Sequence, residues 1–174
     1  KGGQGIDLIY GGTGNDSLMG WSGNDQIDAG AGHDFANGDL GRDRILGGAG
    51  RDTLQGGADN DTLKGGGDGD QLLGNDGNDL LQGEAGNDDL SGGNGNDSLV
   101  GAAGNDALAG DEGADTLTGG EGNDLVQGGG GADSLLGDAG NDTLNGNAGV
   151  DRIYGGDGDD SLSGQEDNDL MWGD

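Results

Sequence analysis

The chain has 174 residues, a formal net charge of -29, and only about one sixth Leu, Ile, Val and Phe. Low apolar content combined with high charge is typical of chains that burial alone cannot order, so we expect folding to require bound cations. The charge argues against nucleic acid and anionic membrane surfaces as partners, because both would repel the chain. The lack of cysteine and the single histidine exclude a Cys/His zinc site, and no apolar run approaches the roughly 20 residues of a membrane-spanning helix.

A nine-residue unit repeats nineteen times, without insertion or deletion, over residues 2–172. Its pattern is G-G-x-G-x-D-x-U-x, where U is a large apolar residue, and its positions are numbered one to nine from the first glycine. Residues 11–19, GGTGNDSLM, are a clean copy. An unbroken short period predicts a solenoid in which each unit stacks on its neighbours. We therefore expect one domain over residues 1–174, and the partial units at Lys1 and at residues 173–174 indicate a segment of a longer protein.

Positions one to six predict a turn built by the backbone. Three glycines permit positive φ and close approach of carbonyl oxygens, and ten of the nineteen fifth positions are asparagine, which tolerates left-handed geometry. An aspartate fills the sixth position of every unit. These candidate metal ligands are Asp7, Asp16, Asp25, Asp34, Asp43, Asp52, Asp61, Asp70, Asp79, Asp88, Asp97, Asp106, Asp115, Asp124, Asp133, Asp142, Asp151, Asp160 and Asp169.

Positions seven to nine predict a three-residue strand whose side chains point out, in and out. The inward eighth position holds a large aliphatic residue or methionine in eighteen of nineteen units, and Ala36 is the exception. Stacked at strand spacing, these side chains form a narrow apolar ladder along the molecule. The absence of proline agrees with this, because proline removes a donor from a strand ladder.

The repeat resembles the calcium-binding nonapeptide block of RTX, or haemolysin-type, secreted bacterial proteins. The resemblance implies an all-β parallel β-roll with two units per coil and calcium ions between stacked turns. It also implies that aspartates two units apart share an ion, which gives about 17 sites. Seventeen divalent ions would carry about +34 against the formal -29, so a filled array would be close to neutral.

Calcium suits the donors that one unit offers. It takes six to eight hard oxygen ligands at flexible angles, and a turn of carbonyl oxygens with one carboxylate supplies such ligands. Magnesium fits less well, because it demands tight octahedral geometry and retains its waters.

Repeat four departs most from the pattern, with Ala29 in the first position and Ala36 in the eighth. We expect Phe35 to turn inward, fill the space beside Ala36 and make this the one irregular coil. His33, in the fifth position, is expected to have no functional role.

The fourth-position glycine is replaced by aspartate in three repeats, at Asp59, Asp68 and Asp167. We expect the turn to tolerate these aspartates, since aspartate enters left-handed conformations. The alternative is that each adds a metal ligand.

Two surface features remain open to alternative interpretations. Four of the six basic residues, Arg42, Arg44, Arg51 and Lys64, are expected to pair with neighbouring carboxylates; binding of an anionic glycan or partner is the alternative. Outward ninth positions of odd-numbered repeats are rich in large apolar residues, which suggests a contact surface, although strand propensity alone also accounts for them. These residues are Tyr10, Leu46, Val100, Leu136, Tyr154 and Trp172.

The sequence favours a calcium-triggered folding module of a protein exported by a type I secretion system, located outside the cell or on its surface. The alternative is a structural rod of an adhesin or filament, self-associating end to end or through the odd-repeat face.

Catalysis is not expected, because no carboxylate stands outside the repeat array in a pocket. The Thr-Gly-Asn triplet of RTX-like antifreeze proteins occurs once, at residues 13–15, which argues against ice binding. Glycan binding lacks an aromatic platform.

Overall fold

The computed structural model describes residues 1–173, and within that range the chain consists of strands and turns. Twenty strands follow one another at the nine-residue spacing. Their bounds are β1 (Gly3–Gln4), β2 (Leu8–Thr13), β3 (Ser17–Ser22), β4 (Gln26–Ala31), β5 (Phe35–Leu40), β6 (Arg44–Ala49), β7 (Thr53–Ala58), β8 (Thr62–Gly67), β9 (Gln71–Asp76), β10 (Leu80–Ala85), β11 (Asp89–Asn94), β12 (Ser98–Ala103), β13 (Ala107–Glu112), β14 (Thr116–Glu121), β15 (Leu125–Gly130), β16 (Ser134–Ala139), β17 (Thr143–Ala148), β18 (Arg152–Asp157), β19 (Ser161–Glu166) and β20 (Leu170–Trp172).

The strands form two ten-stranded parallel sheets, one of odd-numbered and one of even-numbered strands. Each strand pairs with the strand 18 residues away, so that Leu81 lies beside Leu99 in one sheet and Leu90 beside Leu108 in the other. One coil of the solenoid therefore contains two nonapeptides, one in each sheet. The predicted all-β parallel β-roll is confirmed.

The strands are longer than predicted. Instead of three residues, the strands from β2 to β19 span six, from position seven to position three of the next unit. The ladder pairs Glu84 and Ala85 with Ala102 and Ala103 beyond the expected strand end. The reason is that the strand continues through the first glycine, and positions two and three pair with their equivalents in the next coil although Glu84 and Ala102, at position two, have positive φ. This extension creates a second inward position at the first glycine, which the sequence pattern did not reveal.

The core is the predicted ladder of eighth-position side chains. From Ile9 to Ile153 these residues are buried, Leu162 is partly buried, and Met171, in the last coil described, is half exposed. The ladder is one side chain wide in each sheet. Each coil therefore depends on the coils next to it for burial.

The prediction for repeat four is wrong. β5 keeps a regular register with both neighbours, Ala36 remains in the core at 0% exposure, and Phe35 stays at the outward place. Turning Phe35 inward would shift β5 by one residue and reverse the direction of each of its side chains. The ladder bonds to β3 and β7 oppose that shift.

The turns place positive φ at the second and fourth positions of the unit. Asp59, Asp68 and Asp167 have φ of 76, 69 and 73°, so aspartate adopts the left-handed conformation that the turn requires there. The fifth-position asparagines do not share it: among residues 1–173, the non-glycine residues with positive φ all lie at positions two and four. The explanation of these asparagines by left-handed geometry is therefore wrong.

Candidate metal centre

The nineteen aspartates lie in two columns, one along each edge of the solenoid where the chain passes between sheets. The amides of the seventeen aspartates from Asp7 to Asp151 each donate a hydrogen bond to Oδ1 of the aspartate 18 residues later. This bond is 2.7 Å from Asp61 to Asp79 and 2.7 Å from Asp79 to Asp97. Odd and even repeats form separate columns, so aspartates two units apart are adjacent, as the resemblance implied.

The second oxygen of eighteen of the nineteen carboxylates is buried and unpartnered. Oδ2 of eighteen aspartates, from Asp7 to Asp160, accepts no hydrogen bond. The whole residue is almost completely inaccessible from Asp25 to Asp151, with at most 4% exposure. Burying an ionised carboxylate without a partner costs several kcal/mol, so each column requires protons or cations.

The unpartnered oxygens point into narrow cradles beside the first-position glycines. A Cβ built on Gly65 would lie 2.8 Å from the carbonyl oxygen of Gly83 and still closer to Oδ2 of Asp70. The same pair of oxygens, a carboxylate from the unit and a carbonyl from the next coil, surrounds Gly20 and Gly110. Glycine is needed here because any side chain would occupy the space on which the two oxygens converge.

Burial raises the pKa of thirteen consecutive column aspartates. Desolvation is the largest cause, the amide hydrogen bond from the preceding coil opposes it, and neighbouring carboxylates add to it. The pKa rises to about 8 for Asp61, about 7 for Asp70 and about 6 for Asp97. A bound divalent cation would reverse both raising effects, since it replaces lost solvation and offsets the repulsion. The thirteen are Asp43, Asp52, Asp61, Asp70, Asp79, Asp88, Asp97, Asp106, Asp115, Asp124, Asp133, Asp142 and Asp151.

The donor set fits a hard cation. Within residues 1–173 no three His, Cys, Asp or Glu side chains come together to hold a metal, so backbone carbonyls must complete each site. One carboxylate oxygen with several carbonyl oxygens is a ligand set that calcium accepts. The unpartnered Oδ2 and the glycine cradle are the two observations on which this fit depends.

Fifth-position side chains form an outer ladder that supports the turns. Oδ1 of Asn78 accepts the amide of Asn96 at 2.7 Å, and Oδ1 of Asn105 accepts the amide of Asn123 at 2.7 Å. In repeat four, Nδ1 of His33 accepts the amide of Arg51 at 2.9 Å, so this histidine continues the ladder. The sequence signal for this ladder was the regular spacing of the fifth-position asparagines. Their role as hydrogen-bond acceptors becomes clear only once the coil length of 18 residues is known, because each side chain accepts the amide one coil away.

A family model, RTX calcium-binding nonapeptide repeat, matches residues 1–36, 37–72, 73–108, 109–144 and 145–174. The chain belongs to this RTX family. RTX nonapeptide repeats bind calcium, and the family implies a calcium-binding module of type I secreted proteins. A search of curated proteins finds no match to the RTX chain.

Of the four clustered basic residues of the RTX chain, Lys64 pairs with a carboxylate as predicted, but the three arginines in the described part of the chain do not. Among residues 1–173 the one ion pair joins Lys64 Nζ to Glu84 Oε1 at 3.2 Å, so the expected pairing of Arg42, Arg44 and Arg51 is wrong. The nearest carboxylates in sequence, Asp43 and Asp52, are buried in the columns.

The outward face of the even-numbered strands carries the predicted apolar residues. At its end, the rings of Tyr154 and Trp172 stack with centroids 4.5 Å apart and planes 6° from parallel. In the described part of the chain there is no helix of the length and apolarity needed to cross a membrane.

Proposed function

We propose that this chain is a folding switch that is disordered at low calcium and becomes a β-roll when calcium fills the two aspartate columns. The observation that carries the proposal is the set of eighteen buried, unpartnered carboxylate oxygens. Without cations these groups repel one another and lack solvent. The thin apolar ladder has little capacity to offset that cost.

All nineteen sixth-position aspartates are proposed as metal ligands, in about 17 sites between successive turns of a column. Calcium supplies positive charge where the desolvated carboxylates meet. The chain supplies Oδ2, the converging carbonyl oxygens and the glycine cradle, while Oδ1 stays on the amide of the preceding coil. Because its two oxygens have different partners, one carboxylate can both hold neighbouring coils together through Oδ1 and bind an ion through Oδ2.

The energies are sufficient for a switch. A ligand that binds only the folded state contributes about 2.7 kcal/mol at 100 times its dissociation constant. A handful of such sites together equals the roughly 5–15 kcal/mol of net stability of an ordinary domain. Millimolar calcium outside the cell would therefore fold a chain that low cytosolic calcium leaves unfolded.

The biological role proposed is in type I secretion, where an unfolded chain is exported and then folds outside the cell or at its surface. The charge of -29 keeps the calcium-free chain extended and soluble during export. We propose no catalytic activity for these residues. Their carboxylates serve as structural ligands.

Circular dichroism in chelator, in millimolar magnesium and in millimolar calcium tests this function. We expect the β-sheet signal to appear sharply with calcium, and magnesium to be much less effective because it demands octahedral geometry. A full sheet signal that persists in chelator at pH 7.5 would contradict the proposal.

A rigid rod in an adhesin or filament is the second candidate function. The unbroken register of both sheets over nine coils favours it, since each coil repeats the same parallel pairing and the rod is stiff along its axis. Electron microscopy in calcium distinguishes the folding module from a rod that assembles into a filament. Rods longer than the roughly 45 Å expected for one chain would support assembly.

A further inference from the structure

One of the nineteen cradles contains a side chain. Eighteen repeats have glycine in the first position, and repeat four has Ala29. Ala29 lies in β4 at 0% exposure, and β4 keeps its regular register with β2 and β6. The methyl group therefore lies inside the solenoid.

The orientation of that methyl group follows from the equivalent glycines. A Cβ built on the first glycine of other repeats is directed at Oδ2 of the aspartate five residues later, as with Gly65 and Asp70. The backbone of Ala29 has the same orientation, because its carbonyl oxygen lies against Gly11 as the carbonyl oxygen of Gly83 lies against Gly65. The methyl group of Ala29 is thus directed at Oδ2 of Asp34.

The carboxylate of Asp34 has not left its column. Its Oδ1 accepts the amide of Asp16 at 2.7 Å, and its own amide donates to Asp52 Oδ1 at 2.8 Å. Its Oδ2 is buried and accepts no hydrogen bond, and the residue is only 4% exposed. The side chain is fixed for metal binding, but a methyl group occupies the cradle.

We propose that Ala29 excludes calcium from the cradle of Asp34, so that Asp34 is the exception among the nineteen proposed ligands and the array has one built-in vacancy in the even-repeat column. A methyl carbon offers no ligand and fills the space in which the oxygens converge; an ion must approach its oxygen ligands to 2.3–2.6 Å. The vacancy is confined to one site. The cradle of Gly11 keeps both the carbonyl oxygen of Ala29 and Oδ2 of Asp16.

This inference rests on the proposed use of the cradles by calcium, and two variants separate the two claims. Ala29→Gly empties the cradle of repeat four. Gly65→Ala adds a methyl group to a regular cradle of the same column. The bound calcium of each folded chain is counted by native mass spectrometry, with equilibrium dialysis at saturating calcium as a second count.

Ala29→Gly is expected to bind one more ion than the parent chain and to fold at lower calcium, whereas Gly65→Ala binds one fewer. An unchanged count for Ala29→Gly, in a parent chain that binds many ions, would overturn the vacancy and leave the folding switch intact. A parent chain that binds no calcium would overturn the folding switch itself. Ala29→Gly restores the pattern of the other repeats, so its folding does not limit the test.

Discussion

The amide of Asp61 donates a 2.7 Å hydrogen bond to Oδ1 of Asp79, one coil later, and Oδ2 of Asp79 remains buried without a donor. Repeated along both edges, this relationship divides each carboxylate between two tasks. One oxygen ties neighbouring coils together, and the other is available to a cation.

Replacing Asp79 with asparagine should have opposite effects with and without calcium. In calcium the variant loses a charged ligand, and the free energy of unfolding should fall by about 3 kcal/mol, as for removal of one partner from a buried ion pair. In chelator the variant removes a buried charge and its repulsion, so any residual structure should increase. Thermal unfolding in calcium and the circular dichroism sheet signal in chelator measure the two effects, with Glu121→Gln, at an exposed carboxylate, as the control.

Equal destabilisation of the Asp79 and Glu121 variants would mean that the column carboxylates have no special role. A loss of stability in chelator for Asp79→Asn would mean that its hydrogen bond outweighs its buried charge.

Acid should favour the calcium-free fold and oppose the calcium-bound one. Burial and neighbouring carboxylates raise the pKa of Asp61 to about 8 and of Asp70 to about 7 in the fold, from 3.8 as the ordinary value. The folded chain therefore binds more protons between about pH 4 and 8. This contribution to stability is complete below pH 4 and is lost as the pH rises through the folded pKa values.

Circular dichroism in chelator should accordingly show more sheet at pH 5 than at pH 7.5. Calcium affinity should show the reverse trend, because protons and calcium compete for the same oxygens. Calcium titrations at the two pH values measure this, and an affinity independent of pH would contradict competition at the carboxylates.

Truncating one side chain in the middle of the apolar ladder should lower the stability of the fold substantially. Leu99 is fully buried between Leu81 and Leu117, and Leu99→Ala should reduce the free energy of unfolding in calcium by about 2–5 kcal/mol. Leu125 is 41% exposed at an outward position, so Leu125→Ala is the control, with a much smaller effect. Chemical denaturation in saturating calcium compares them. Similar losses in the two variants would contradict the assigned core.

The outer ladder of asparagine side chains can be tested by adding a hydrogen-bond acceptor as well as by removing one. Asn96 Oδ1 accepts the amide of Ala114 at 2.8 Å, but Ala114 has no side-chain acceptor for the next coil. Ala114→Asn should supply one to the amide of residue 132, slow its hydrogen exchange and stabilise the fold by about 1 kcal/mol. Asn78→Ala should speed exchange at Asn96, whose amide it accepts. Unchanged exchange at both amides would show that the ladder contributes nothing.

Much of the fold follows from the repeat itself. The phase of the aspartates predicts the metal ligands, and the phase of the eighth positions predicts the buried ladder from Ile9 to Ile153. The prediction of the core succeeds because a solenoid gives every unit the same environment, so one unit's pattern is sampled many times. The assignment of the aspartates as metal ligands stays a prediction.

The errors come from contacts between coils, which one unit does not specify. The inward role of the first glycine depends on a carbonyl oxygen 18 residues away, and the role of the fifth asparagine on an amide at that distance. Phe35 stays outward because β3 and β7 both fix the register of β5. The preference of the large Phe35 side chain for the core is outweighed there by the hydrogen bonds of β5 to the strands on both sides.

Size-exclusion chromatography with light scattering, run in chelator and then in millimolar calcium, tests the central claim most directly. The account predicts a chain whose mass stays that of the monomer while its hydrodynamic radius contracts sharply with calcium, as an extended chain becomes a compact rod. The same compact radius in chelator and in calcium would contradict the folding switch.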